Sequence, residues 1–413
     1  MDFRTECDYI VKNSINRVLP DEAVKRALDG RSFPDGKLIL VSIGKAGWSM
    51  AYSAAEILKD RITEGIVITK HGYSQGGIDR LKVFEAGHPV PDEDTLSASS
   101  KALEMTESLS ENDTVILLIS GGGSALFEMP YVDLNELQSI TSQLLECGAD
   151  IVEINTIRKR LSKVKGGRFA AHCAPASVFA VVLSDIIGDP LDMIASGPAY
   201  PDSSTCADAI GIVRKYGIRM SEEAAKCLTI ETPKEISNVE TEVTGSVREL
   251  CIAAAESCRE LGYEPRILTD CLSGEARDAG KRLAGIVIEN RNTSKPLAVI
   301  AGGETVVHIT GHGKGGRNQE IALSAARYIA GINNAAVFST GSDGTDGPTD
   351  AAGGYVDGST IEKLSSQGID ADAALADNDS YNALSACGGL IFTGATGTNV
   401  NDVSVALIKK GVE

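Results

Sequence analysis

The stretch LLISGGGSALF, Leu117–Phe127, decides how this chain is read. A short apolar run ends at Ser120, three glycines follow, and apolar residues resume after Ser124. An unbroken apolar run bounded by a turn is the pattern of a strand covered on both faces. Such strands belong to parallel sheets with helices on either side. Three structures account for the bare backbone: a tight strand–helix turn, a nucleophile elbow, or a cradle of N–H groups for an anion. The elbow pattern G-x-S-x-G is not matched, because Ala125 and Leu126 follow Ser124. Turn and cradle explain the triplet equally well on its own. The loops discussed below favour the cradle, in which Gly121, Gly122, Gly123 and Ser124 present consecutive donors to a phosphate or carboxylate.

The same pattern recurs along the chain. LILVSIGKAG (Leu38–Gly47), VFAVVLSDIIGD (Val178–Asp189), LAVIAGGET (Leu297–Thr305), AVFSTGSDGTDG (Ala336–Gly347) and LIFTGATGTN (Leu390–Asn399) are all β-rich runs that end in glycine turns. Helical patterns intervene, as at Val247–Leu261 and Asn318–Ile329. The expected fold class is therefore α/β with parallel sheets, and ligands in such sheets sit at the carboxyl ends of the strands. The pattern pauses at the polar, acidic segment TIETPKEISNVETEVT, Thr229–Thr244. With 413 residues, too many for one ordinary core, this segment is expected to divide two domains, 1–235 and 236–413.

Composition narrows the function. Hydrophobic residues make up 43% and charged residues 23%, as in ordinary globular proteins. No apolar run approaches the roughly 18 residues of a membrane helix, and the N-terminus lacks a signal-peptide pattern, so a soluble, cytoplasmic protein is expected. Nine scattered cysteines and five scattered histidines predict reduced thiols and argue against a zinc site. A net charge of −18 argues against nucleic acid as a partner. A small anionic ligand stays compatible if cations or a metal overcome the repulsion within about one Debye length, roughly 8 Å.

Lysines and arginines beside glycine turns are therefore informative. Lys45, in SIGKAG at a strand end, suits a point charge on a phosphate or carboxylate; a solvated turn lysine is the plainer alternative. Arg317, in GKGGRNQE, falls near a predicted helix N-terminus, where its charge opposes the dipole, which suggests a ligand for it. Asp185 and Asp189 follow a buried strand, suited to magnesium or to accepting a proton from a hydroxyl; Asx turns explain them as well. Asp343, Asp346 and Asp350 form either a second metal loop or a surface loop. His88, in AGHPVPDE, belongs to a lid-like loop or a plain connector. TIRKRLSKVKGGR, Thr156–Arg168, carries six basic residues in 13, expected as a solvated face or a source of positive potential. The P-loop pattern is absent, and the one letter match to G-x-G-x-x-G, at Gly311–Gly316, lacks a following acid for a ribose. The set fits phosphoryl transfer to a small substrate in a cleft between two α/β domains.

SIGKAG, AGHPVPDE, ISGGGSAL, INTIRKRLSKVKGGR, LSDIIGDPLDMIASGP, AGGET, GKGGRNQE and STGSDGTDGPTDAAG together resemble the type II glycerate kinases, in order from about Leu38 to Asn399. The resemblance implies a Rossmann-like N-terminal domain and a C-terminal MOFRL domain. It implies ATP and magnesium as cofactors and D-glycerate as the small-molecule substrate, phosphorylated at the 2-hydroxyl. It assigns catalytic roles to Lys45, Asp189 and Arg317; a mechanism built on these expects Gly121, Gly122, Gly123 and Ser124 to cradle the nucleotide phosphates and Asp185 with Asp189 to face the metal. A homo-oligomer is compatible with it. A hydroxypyruvate reductase using NAD(P)H and a non-enzymatic sugar-acid or nucleotide sensor stand as alternatives.

Overall fold

The structure is a computed structural model and describes residues 1–411. These form two compact units, one of residues 23–184 and 189–244, the other of residues 1–22, 185–188 and 245 onward.

The first unit is built on six strands: β1 (Leu38–Ile43), β2 (Glu64–Lys70), β3 (Leu81–Ala86), β4 (Thr114–Ile119), β5 (Ser177–Leu183) and β6 (Val239–Gly245). Their order is β3-β2-β1-β4-β5-β6, that of dinucleotide-binding sheets. The pairings β3–β2, β2–β1, β1–β4 and β4–β5 are all parallel. Every residue of β1 and β4 is buried, as unbroken apolar runs require. Alternate residues serve opposite faces. Leu38, Leu40, Ile116 and Leu118 pack with Met50, Ala51 and Ala54 of the helix Gly47–Leu58.

The second unit holds β7 (Glu264–Leu272), β8 (Leu297–Gly303), β9 (Ala335–Gly341), β10 (Gly353–Asp357), β11 (Leu390–Ile391) and β12 (Asp402–Ile408), in the order β11-β10-β9-β12-β8-β7. Here the expectation of a parallel sheet needs correction. β7 and β8 are parallel, but β12 runs antiparallel to both β8 and β9, and β10 is antiparallel to β9 and β11. Burial on both faces, not strand direction, produced the continuous apolar runs. The helices Ala276–Asn290 and Arg317–Ile329 cover one face, and Phe3–Arg17 with Val247–Glu260 cover the other. LIFTGATGTN contributes only the two-residue β11, and the rest is coil.

The units differ from the expected division at 235/236, and residues 185–188 as well fall in the second unit. Val239–Gly245 is the sixth strand of the first sheet, and residues 1–22 pack in the second unit. No helix among the described residues is long and apolar enough to cross a membrane.

Candidate active site

Parallel strands place their carboxyl ends along one edge, neighbouring strands being about 4.8 Å apart. In spatial order β3-β2-β1-β4-β5 that edge carries His88, Lys70, Lys45, Gly121–Ser124 and Asp185 with Asp189. β1, β2 and β3 run outward in one direction and β4, β5 and β6 in the other. The switch point therefore lies between Lys45 and the glycine turn, the place where open α/β sheets bind ligands.

The two loops at the switch point are stitched together. Lys45 N–H donates to the Gly121 carbonyl (2.9 Å) and Ala46 N–H to Ser120 Oγ (3.1 Å). Glycine is required at Gly44, where φ is +116° and a β-carbon would meet Ser120 Oγ at 2.2 Å. It is required again at Gly122, with φ +84°, where a β-carbon would stand 2.9 Å from His88 Cδ2 and 3.2 Å from Lys45 Cγ.

Within the turn the donors divide. Gly123 N–H donates to the Ser120 carbonyl, and the Ser124 hydroxyl meets Ser196 Oγ at 2.9 Å. Ser196 in turn donates to Asn155 Oδ1, and Arg158 holds the Ser124 carbonyl at 2.8 Å. Among the described residues, the N–H groups of Gly121 and Gly122 have no protein acceptor. The helix that follows is a single turn, Gly123–Leu126, so the donors here are the amides themselves rather than a helix dipole. The dipole comes instead from the 12-residue helix Gly47–Leu58, whose first turn has no side-chain cap and begins two residues after Lys45. The Lys45 ammonium is exposed and has no carboxylate partner among the described residues; Lys70 also lacks one. In a chain of net charge −18 such cations are conspicuous.

Asp185 and Asp189 are partly buried in the polar segment after β5. Gly188 and Asp189 are both left-handed, at φ +81° and +49°, a conformation uncommon for a side-chain-bearing residue. Further on, Ala195, Ser196 and Gly197 are consecutively left-handed, and Ala195 Cβ stands where it leaves no room for a side chain on Gly123 (2.7 Å).

Arg317 lies in the second unit as the first residue of its helix. It donates through Nε and Nη2 to Asp402 (2.6 and 3.1 Å) and through Nη1 to Glu304 (2.8 Å). These carboxylates relieve the conflict with the helix dipole. Burial opposes the guanidinium's charge, but Asp402 and Glu304 outweigh it and strengthen its hold on the proton. Arginine has five N–H donors, so two remain for a ligand. Asp402 was invisible to sequence reasoning because β12 was not foreseen. As the first residue of an antiparallel strand it pairs with Gly303 and Gly341, the last residues of β8 and β9.

Other expectations are corrected. TIRKRLSKVKGGR is not a solvated face. Lys159 meets Asp192 (3.1 Å) and Asp202 (3.2 Å), Arg160 meets Asp202 and Glu231, and Lys165 meets Glu128 (3.3 Å), all three bases being almost wholly buried. Six bases at helical spacing were compatible with burial once acids from other segments are counted, which sequence alone does not supply. Asp343, Asp346 and Asp350 are occupied structurally. Asp346 caps the helix Arg317–Ile329 through Asn318 and Gln319 N–H, Asp343 accepts from Thr345, and Asp350 accepts from Tyr381. The glycines of Gly311–Gly316 fit closely against Asp346, Asp377, Asp379 and Ser380 and follow no strand directly, so the dinucleotide reading of that match fails.

Comparison with known proteins now adds to this geometry. A family profile described as a domain of unknown function, DUF4147, matches residues 6–229, and the MOFRL profile matches residues 297–402. The D-glycerate 2-kinase of Thermotoga maritima is 53% identical over 97% of each chain. The chain belongs to the glycerate 2-kinase family. The glycerate 2-kinase of Pyrococcus horikoshii is 42% identical, covering 99% of this chain and 98% of its own. The crystal structure of Thermotoga maritima glycerate kinase superposes with a TM-score of 0.93 at 52% identity, over 98% of this chain and 99% of that one. Within the glycerate 2-kinase family, the DUF4147 match covers β1 to β5 and the MOFRL match covers β8 to β11 and ends at Asp402, where β12 begins.

Proposed function

We propose that this chain transfers the γ-phosphoryl group of ATP to the 2-hydroxyl of D-glycerate, giving 2-phosphoglycerate and ADP in the cytoplasm. The observation that carries this reading is the set of donors at the switch point of the first sheet. Among the described residues, the Lys45 ammonium and the Gly121 and Gly122 N–H groups have no protein acceptor, while acids follow the next strand.

The residue roles follow. Gly121 and Gly122 N–H groups, with Gly123 and Ser124 holding the shape of their turn, bind phosphate oxygens. Lys45 holds the migrating phosphoryl group as a point charge. The glycerate hydroxyl oxygen attacks the γ-phosphorus, the bond from that phosphorus to the β-bridging oxygen breaks, and Asp189 takes the hydroxyl proton. The two uncommitted N–H groups of Arg317 bind an anionic group of the substrates. Asp185 and Asp189, four positions apart in one segment and each partly exposed, offer oxygen ligands only. That suits magnesium, which takes one or two carboxylates and completes its shell from phosphate and water. One oxygen of each would hold the ion, leaving the other oxygen of Asp189 for the proton. Magnesium supplies neutralisation of the triphosphate charge when bound.

Phosphorus NMR of a reaction with ATP and D-glycerate tests the reading. A 2-phosphoglycerate resonance growing with that of ADP is expected; 3-phosphoglycerate would overturn the regiochemistry, and no ADP would overturn the activity.

A further inference from the structure

His88 joins the same loops, although it appeared only as part of a lid or connector in sequence. Its ring edge lies at Gly122: a β-carbon there would stand 2.9 Å from His88 Cδ2 and 3.0 Å from Nε2, and the same point is 3.2 Å from Lys45 Cγ. The ring is partly buried, and among the described residues neither nitrogen has a hydrogen-bond partner. Water therefore reaches both nitrogens, and a ligand taking its place would complete the ring's hydrogen bonds. Its neighbours say what that is. Lys45 and Lys70 lack carboxylate partners, and the N–H groups of Gly121 and Gly122 lack acceptors. The cluster offers donors from four segments, and among the described residues no carboxylate is paired with its lysines.

On the reading of this chain as a glycerate kinase, we propose that His88 is a direct ligand of a substrate oxyanion, donating through Nε2 beside Lys45 and the Gly121–Gly122 amides. The oxyanion is either a nucleotide phosphate or the hydroxy-acid carboxylate. Burial first, then the charges of Lys45 and Lys70, hold the imidazole below the ordinary histidine range. The nearby carboxylates Glu85, Asp92 and Asp94 act on His71 instead, Asp92 through a 2.9 Å contact. An anion seated among these groups reverses the balance of charge, so binding raises the proton affinity of His88 and takes up protons.

Imidazole NMR of the full-length protein tests this, with the His88 resonance assigned by its loss in His88→Gln. The titration midpoint is expected to rise by about one pH unit when the bound oxyanion is added, a tenfold linkage. ADP and D-glycerate are added separately: movement with ADP identifies the phosphate, movement with D-glycerate the carboxylate. In kinetics, His88→Ala is expected to raise the KM of that same ligand about tenfold or more, and His88→Gln, which keeps a donor, by less. If the enzyme phosphorylates D-glycerate while neither ligand moves the His88 midpoint, the inference falls and the functional reading stands. If no phosphorylation occurs, the functional reading falls with it.

Discussion

Lys45 and Lys165 show how opposite two lysines in glycine-bearing segments can be. Lys45 is exposed and among the described residues has no carboxylate partner, so no ion pair of the fold depends on its charge. Lys45→Ala should lower turnover by about 10²–10³, the range for deleting a charge stabiliser, and leave the denaturation midpoint unchanged. Steady-state kinetics beside urea unfolding checks both halves. Lys165 is fully buried, with Nζ donating to the Phe127 carbonyl (2.6 Å) and 3.3 Å from Glu128, which is also fully buried. Burial draws its ammonium down to about 8, with Glu128 pulling the other way. Lys165→Met leaves Glu128 as an uncompensated buried charge and should cost about 3–5 kcal/mol. Joining it to Glu128→Leu should recover most of that loss, and unfolding of the single and double variants decides the matter. The strand-end place of Lys45 was legible in sequence because a cation in such a turn announces itself locally. Lys165 was not, since its partner lies 37 positions earlier and only the fold brings them together.

Turns and helix ends carry the next level of the argument. Gly44→Ala would place a methyl group 2.2 Å from Ser120 Oγ at a left-handed position, driving the Lys45 loop away from the glycine turn. Activity is expected to fall at least as far as in Lys45→Ala, with stability lost as well, a pairing that turnover and thermal unfolding together would reveal. At the other sheet, Asp346 caps the helix Arg317–Ile329 from an almost wholly buried position. Burial lifts its carboxyl to about 6 despite the N–H groups of Gln319 and Asn318, which favour the charge. The native state thus binds more protons than the unfolded chain from about pH 4 to about 6, so this group's contribution to stability declines as pH rises through that window. Asp346→Asn should flatten the profile there; unfolding midpoints of both proteins across the window test it, and parallel profiles would reject the assignment. The glycine turns were readable as turns because glycine permits what other residues do not. The role of Asp346 was not, because capping reaches back 28 residues to a helix whose first turn carries no cap of its own.

For the molecule as a whole, three strands of the first sheet and its parallel character were legible from the residues, its Rossmann-like order only through the resemblance, and the second sheet only in content. Strand direction leaves no trace in the composition of a strand buried on both faces, so β12 and its partnership with Arg317 stayed hidden. The net charge of −18 makes a prediction at this scale. Salt screens distant repulsion and nearby attraction alike. Raising sodium chloride from about 0.02 to about 0.3 M should increase the KM for ATP where Lys45 dominates the local field. In Lys45→Ala that dependence should vanish or reverse, and an unchanged slope would count against local control by this lysine. The helix Phe3–Arg17 presses Cys7, Ile10 and Val11 against Leu250, Ala254 and Cys258, and Arg17 pairs with Glu256 at 2.9 Å. The ribosome makes the first half of that interface long before the second. At roughly 5–20 residues per second, the nascent helix waits roughly 10–45 seconds with its apolar stripe uncovered. Removing it would therefore harm not the part of the protein it is synthesised beside but the part made last.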